Sequence, residues 1–509
     1  MDNNMSTHAQ LKLENNAVTG IRGQKAAIYE IIVPAGIREI KKNAFECCTR
    51  VISTKLPDSL IRIDGYAFFS CSGLTSLTLP PNLTHLGDHA FERCGGLTSI
   101  TLPNSITTIG ASAFASCIGL TCLTLPSAIT RINPFTFYGC SGLTSLALPK
   151  TVTHIGSRAF ERCSGLTSLT LPDALTTIVC AFRKCDGIAS LTLPKSISTI
   201  GDAAFASCSG LTYLALPAVT RVGPSAFYEC TGLTSLTLPE TLTQIDGHAF
   251  AKCSGLTSLT LSNTLKLIGE CSFLDCSGIT SLTLPDTVTA INATAFKNCK
   301  GLTSVALPQA MTCIAKSTFS GCSGLTSITL PALLTQIDEC AFYGCRGLTS
   351  LALPKSLTRI HNQSFRACGG LTYLRLPPNL THVGVRAFSD CKQLASLALP
   401  ESLSCVCALA FDGCTELTSL TLPDKLMHKI DGDNVFSNCT ALTSVILLPR
   451  VPLAFIVWAV GSSRNRHNWQ LTTLKHSHNV LRLILVLAED PRECTGDEFA
   501  RLLRGSCRW

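Results

Sequence analysis

The chain has 509 residues, 46% of them hydrophobic and only 15% charged, and its 41 Lys and Arg against 33 Asp and Glu give a net charge of +8. Half of that excess sits in residues 450–509, with nine Lys/Arg and five Asp/Glu, and no basic stripe runs through the rest. The electrostatic footprint of a nucleic-acid-binding protein is therefore missing, and no stretch approaches the ~18 uncharged apolar residues of a membrane-spanning helix.

The start, MDNNMSTHAQLKLENN, is polar and lacks the apolar core of a secretory signal. The expectation is a cytoplasmic protein, with a non-classical route to the cell surface as the alternative, and a flexible lead over residues 1–28. A first repeat unit without its cysteine opens at Ile31–Phe45, IIVPAGIREIKKNAF. From there one decapeptide recurs: CSGLTSLTLP stands at Cys71–Pro80 and, unchanged, at Cys163–Pro172.

The cysteine that opens it falls at 48, 71, 94, 117, 140, 163, 185, 208, 230, 253, 276, 299, 322, 345, 368, 391, 414 and 439. Fourteen of the seventeen intervals are 23 residues, two are 22 and one is 25. With the opening unit this makes about nineteen units, and a fixed period in this range signals a solenoid. In the unit at Cys71, Leu77 and Leu79 lie on one face of a strand, because side chains alternate, and Ser76 and Thr78 lie on the other. Pro80 ends the strand, since proline cannot donate to a ladder. Leu83 and Leu86 follow as a second apolar set, Gly87 marks a turn, and Ala90 and Phe91 complete the core positions. One coil cannot offset its own chain entropy, so each coil must supply the core of the next.

Eighteen of the 28 cysteines occupy the ladder position, in step with the core Phe and Leu, so they read as small buried residues. The other ten are 47, 122, 180, 271, 313, 340, 405, 407, 494 and 507. Cys405-Val-Cys407 is the one suggestive pair, but zinc requires two more ligands at helpful spacing and the sequence places none beside it, so no metal and no cofactor are expected. No phosphate loop, dinucleotide fingerprint, H-E-x-x-H or G-x-S-x-G occurs, and no unit breaks the repeat to install a catalytic group.

The outward strand positions carry a Ser row (Ser76, Ser99, Ser145 and onward) and a Thr/Ala row, broken by Tyr213, Tyr373 and Arg375. Tyr and Arg are the residue types that dominate binding hot spots. A second variable strip lies between Phe and Cys and includes Tyr138, Tyr228, Tyr343 and the pair Arg183-Lys184. These eight residues are the candidate partner contacts. The 22-residue units end at Cys185, where the turn glycine is lost (TTIVCAF), and at Cys230. After Leu448 the repeat stops, and residues 450–509 read as a helical cap over the last coil, with a capping box at Thr495–Glu498.

The pattern L-x-x-I-G-x-x-A-F-x-x-C-x-x-L-x-x-L-x-L-P, carried by residues 29–449, resembles the BspA type of leucine-rich repeat. The resemblance implies a curved, right-handed horseshoe solenoid with a parallel sheet on one face, found in bacterial surface proteins and in expanded protist sets, and it brings no catalytic residues. The leading expectation is a non-catalytic scaffold for protein–protein interaction. The alternative is a cell-surface or secreted adhesin for host or matrix protein or glycan, permitted by five N-x-[ST] sequons at Asn82, Asn292, Asn362, Asn379 and Asn438, which a Thr-rich chain also makes by chance.

Overall fold

In the coil that begins at Cys71, the strand Ser76–Thr78 turns Leu77 into the core and leaves Ser76 and Thr78 exposed. Equivalent strands stack in parallel, Ser76–Thr78 against Ser99–Thr101 with Leu77 opposite Ile100, so partners stand 23 residues apart. The computed structural model describes residues 10–25, 28–423, 426 and 434–448. The chain divides into two units, Met1–Ser277 and Gly278–Trp509, and the same coil builds each of them. The tail at 450–509, with its expected helical cap, lies outside the described residues, among which there is no α-helix.

The apolar sets fall where the periodicity puts them. Leu74, Leu77, Leu79, Leu83, Leu86 and Phe91 are all at most 5% exposed. At about 1.5–3 kcal/mol for each large side chain, their burial is what a coil gains by stacking. The phenylalanines form one file per unit. From Phe45 to Phe273 successive ring centroids are 5.0–5.7 Å apart. From Phe296 to Phe436 they are 5.1–5.7 Å apart.

Two further ladders join the coils. The second apolar set lies on its own short strand, His85–Leu86, paired in parallel with Thr108–Ile109. The stretch before each cysteine forms the third. His89, Phe91 and Arg93 donate their N–H groups to Ala111, Ala113 and Ala115 of the next coil, each at 2.8 Å. This requires positive φ at His89 (59°) and Arg93 (61°). Such φ values cost on the order of 1 kcal/mol each for non-glycine residues, and the inter-coil bonds offset that cost.

Gly87, expected as a turn glycine, is needed for another reason. A Cβ there would stand 2.4 Å from the backbone nitrogen of Gly65, so glycine permits the close approach of two coils.

The ladder cysteines are buried as expected, apart from the half-buried Cys439, and have a second role that periodicity does not reveal. The Sγ of Cys94 donates to the carbonyl of Phe68, 3.2 Å away in the preceding coil, and that carbonyl also accepts the N–H of Cys71. The same thiol bond recurs from Cys71 to Cys276 in the first unit, at 3.1–3.2 Å. In the second it runs from Cys322 to Cys439, at 3.1–3.4 Å. No disulfide forms among the described cysteines.

Residues 10–22 differ from the expected flexible lead. Gln10–Glu14 and Ala17–Arg22 pair antiparallel, and Ala17–Arg22 then pairs in parallel with Glu39–Ile40. The turn residues Asn15 and Asn16 have φ of 49° and 59°, the left-handed pair that a two-residue hairpin loop requires. The hairpin covers the edge of the first coil, burying Val18 completely.

The two 22-residue units each drop one residue outside the ladders. The first loses it between the strand Thr177–Ile178 and Cys180, the second between Pro217 and Val219. Across each deletion the second strands still pair, Thr177 with Thr199 and Thr199 with Arg221.

Candidate recognition surface

The strand-lined face is built from three rows of side chains. The innermost, at Thr75, Thr98, Thr121, Thr144 and Thr167, is committed to the fold. Each hydroxyl donates to the carbonyl at the same position one coil earlier, at 3.0–3.3 Å. A matching Thr row flanks the second strand, with Thr335, Thr358 and Thr381 each donating at 3.0 Å. These threonines are exposed or nearly so, yet their polar atoms hold adjacent coils together. The Ser and Thr/Ala rows beside them stay at the surface, giving an uncharged floor of small side chains.

Three predicted residues rise from that floor. Tyr213 is 56% exposed and Tyr373 57% exposed, large values for aromatic rings. Tyr373 and Arg375 share the strand Tyr373–Arg375 and project from one face, with Leu374 buried between them. In register beside Tyr373 stand Ser350 and Ser396, and beside Arg375 stands Ala352. Small neighbours leave both side chains standing above the sheet. Tyr213 belongs to the first unit, with Ser190 as its register partner.

The strip between Phe and Cys is organised differently, because its cations lie over its own aromatics. Arg162 sits over Tyr138 at 5.8 Å, Lys252 over Tyr228 at 4.9 Å and Arg366 over Tyr343 at 5.9 Å, each cation coming from the next coil. The same pairing holds Arg93 over Phe69 and Arg158 over Phe135. Cation–π contacts at such exposed sites contribute ~0.5–1 kcal/mol each. Arg183 reaches the nearly buried Glu161 at 3.9 Å, and Arg158 reaches it at 3.5 Å. Lys184 lines an open groove of about 580 Å³ with Asp186, Glu229, Lys252 and Asp275. Within it Lys252 and Glu229 pair at 2.9 Å. Hydrogen bonds to Tyr228 and Glu229 raise the Lys252 ammonium above its ordinary range, and the bond from Lys252 lowers the Glu229 carboxyl.

Most ladder thiols are poor nucleophiles, but at the ends of the ladder hydrogen bonds from Cys71 and Cys414 lower Cys48 and Cys439. Burial pushes Cys94, Cys140, Cys208, Cys322 and Cys368 up to about 12. At neutral pH they carry no appreciable thiolate. The sequon amides of Asn82 and Asn379 are exposed but donate to the carbonyls of Asp58 and Lys355, at 2.9 and 3.0 Å, in the preceding coil. No helix among the described residues is long and apolar enough to cross a membrane.

Several solved structures resemble this fold. A leucine-rich repeat protein from Bacteroides ovatus is 24% identical, with 87% of this chain and 98% of that one covered and a TM-score of 0.46. A leucine rich cell surface protein from Faecalibacterium prausnitzii is also 24% identical, over 65% of this chain and 93% of its own, with a TM-score of 0.39. A leucine-rich repeat protein from T. pallidum is 32% identical over 31% of this chain and 78% of its own, with a TM-score of 0.31. No protein of curated function matches the chain. Residues 24–121, 130–257, 220–349 and 359–452 match the BspA type leucine-rich repeat region, in six copies. With most of its length matched, and with a strand, a phenylalanine and a ladder cysteine in coil after coil, the chain belongs to the BspA-type leucine-rich repeat family.

Proposed function

We propose that this protein is a non-catalytic scaffold that binds a protein partner through its strand-lined face. Tyr373 and Arg375 are the central anchor in the second unit, and Tyr213 is the anchor in the first. The observation that carries the reading is the exposure of Tyr373 and Arg375 on one strand, above a floor of serine and alanine. The sheet already orders the backbone that carries them, which keeps that part of the docking cost low, and Tyr and Arg are the residue types enriched in hot spots. Tyr138, Tyr228, Tyr343 and Arg183 are secondary contacts in this reading, because their side chains already serve neighbouring coils. Lys184 lines the groove.

The test is affinity capture from the source cell's lysate with the intact protein and with a Tyr213→Ser, Tyr373→Ser, Arg375→Ser variant. The reading expects a specific partner that the intact protein retains and the variant loses. Equal capture by both would place recognition elsewhere. Absence of any partner, together with glycan on Asn82 or Asn379, would favour the adhesin.

A further inference from the structure

The coil containing Cys405-Val-Cys407 departs from the repeat template on both sides of its core residue. In most coils this position reads Thr, Arg, Gln or His, then Ile or Val, then Gly, Asp or Asn; here cysteine stands at both flanks. Val406 is fully buried, and Cys405 and Cys407, two residues apart along an extended segment, lie on the side opposite to it. Their sulfurs are 3.3 Å apart. The strand His382–Val383 of the preceding coil pairs with Cys405–Val406 in parallel, and the register sets His382 directly opposite Cys405. A ring nitrogen of His382 and the two sulfurs all lie within 4.8 Å of one another, and all three residues are half-buried.

A second histidine stands one coil beyond His382, outside that cluster. His361 occupies the row of Cys407 two coils earlier, and its ring centroid is 6.3 Å from that of His382. Gly384 lies between them in that row and adds no side chain; a Cβ there would meet the backbone of Asn362 at 2.6 Å. The Nε2 of His361 is 3.8 Å from Asp338 Oδ1, an ion-pair distance longer than a hydrogen bond.

We propose that Cys405, Cys407 and His382 form a binding site for a soft, tetrahedrally coordinated cation of the zinc class, with His361 or a water as the fourth ligand. A tetrahedral zinc with nitrogen and sulfur ligands at ~2.0–2.3 Å holds its donors roughly 3.3–3.8 Å apart, so small side-chain rotations within the observed separations suffice. Two thiolates and a neutral imidazole match zinc, cadmium or cobalt and disfavour calcium or magnesium, which take oxygen ligands. On binding, each thiol gives its proton to solvent. The donors come from adjacent coils, so the ion joins two turns of the second unit that are otherwise held by hydrogen bonds and packing.

The experiment uses the full chain, reduced, freed of metal and titrated with Co²⁺. The expected result is one equivalent bound, with a thiolate-to-cobalt charge-transfer band and tetrahedral ligand-field bands, all displaced by Zn²⁺. The Cys405→Ser, Cys407→Ser double variant loses the charge-transfer band. His382→Asn weakens the apparent affinity by roughly 10–100-fold or more, the range that even an outer-sphere partner commands. Cys122→Ser, at an exposed strand position, leaves the titration unchanged. Circular dichroism and melting of each variant without metal separate a lost ligand from a lost fold. The proposal is overturned if folded intact protein shows no charge-transfer band, or if the double variant keeps it. It is equally overturned if Cys405 and Cys407 are found joined as a disulfide that reforms in air and Zn²⁺ does not protect them from oxidation, since the pair is then a redox couple.

Discussion

A ladder cysteine is the most informative place to perturb this fold, and Cys140 is the cleanest example. It is completely buried, and its Sγ donates to the carbonyl of Phe114 at 3.1 Å. Two roles are therefore combined, apolar filling and hydrogen-bond donation, and alanine and serine separate them. Cys140→Ala removes one buried heavy atom, about 0.8 kcal/mol by analogy with a methylene, and one donor, about 0.5–1.5 kcal/mol. The sum is roughly 1.3–2.3 kcal/mol. Cys140→Ser loses the sulfur's apolar contribution but keeps a donor aimed at the same carbonyl, so its cost is about 1 kcal/mol and lies below that of alanine. If the cysteine were only an apolar wedge, the order would reverse, because a buried hydroxyl without a partner costs ~1–3 kcal/mol. Urea unfolding of both variants against the intact protein, read by circular dichroism under identical conditions, decides the matter. A serine variant less stable than the alanine variant would refute the donor role.

Three other outcomes follow from the same coil geometry. In the native state, iodoacetamide should label the exposed Cys47 and Cys122 well before Cys94, Cys140 and Cys208, which burial holds near 12, and peptide mass spectrometry reads the order; prompt labelling of the ladder would contradict their burial. Gly370→Ala should destabilise by more than 1 kcal/mol, because its Cβ would lie 2.4 Å from the Arg346 carbonyl, whereas neighbouring Gly369→Ala, with nothing nearer than 3.9 Å, should be nearly neutral; melting of the two variants compares them directly. Glu229 has its carboxyl lowered by the hydrogen bond from Lys252, so this contribution is present above the unfolded carboxylate pKa and is lost as pH falls through the lower folded value. The stability difference between intact protein and Glu229→Gln should therefore be small, present at pH 7 and absent at strongly acidic pH; a difference that grows on acidification would contradict the pairing.

Much of the coil was legible because its local rules repeat. The alternation in L-T-S-L-T-L predicts the buried Leu77 and the exposed Ser76 and Thr78, and the strand Ser76–Thr78 has that pattern. The hairpin at residues 10–22 was equally writable, since QLKLE and AVTGI alternate around Asn-Asn, but beside so strong a period a single short signal reads as a polar lead. Gly87 shows the opposite failure. Glycine after an apolar residue suggests a turn, and here the constraint is the distance to Gly65 one coil away, which no local window contains.

The amino-acid sequence by itself determined the family, the period and which positions of each coil are inside, because those follow from patterns within 23 residues. Only the tertiary structure decided what each side chain meets. The parallel register offsets neighbours by a full coil, so Cys140 finds the Phe114 carbonyl 26 positions upstream and Arg162 covers Tyr138. By the same offset His382 comes to stand beside Cys405, and a pair of cysteines with no further ligand in its own coil acquires one from the coil before. Local periodicity specifies the shape of a turn of the solenoid. The contacts between turns depend on the offset and direction at which successive backbones hydrogen-bond, and that is a property of the stacked chain.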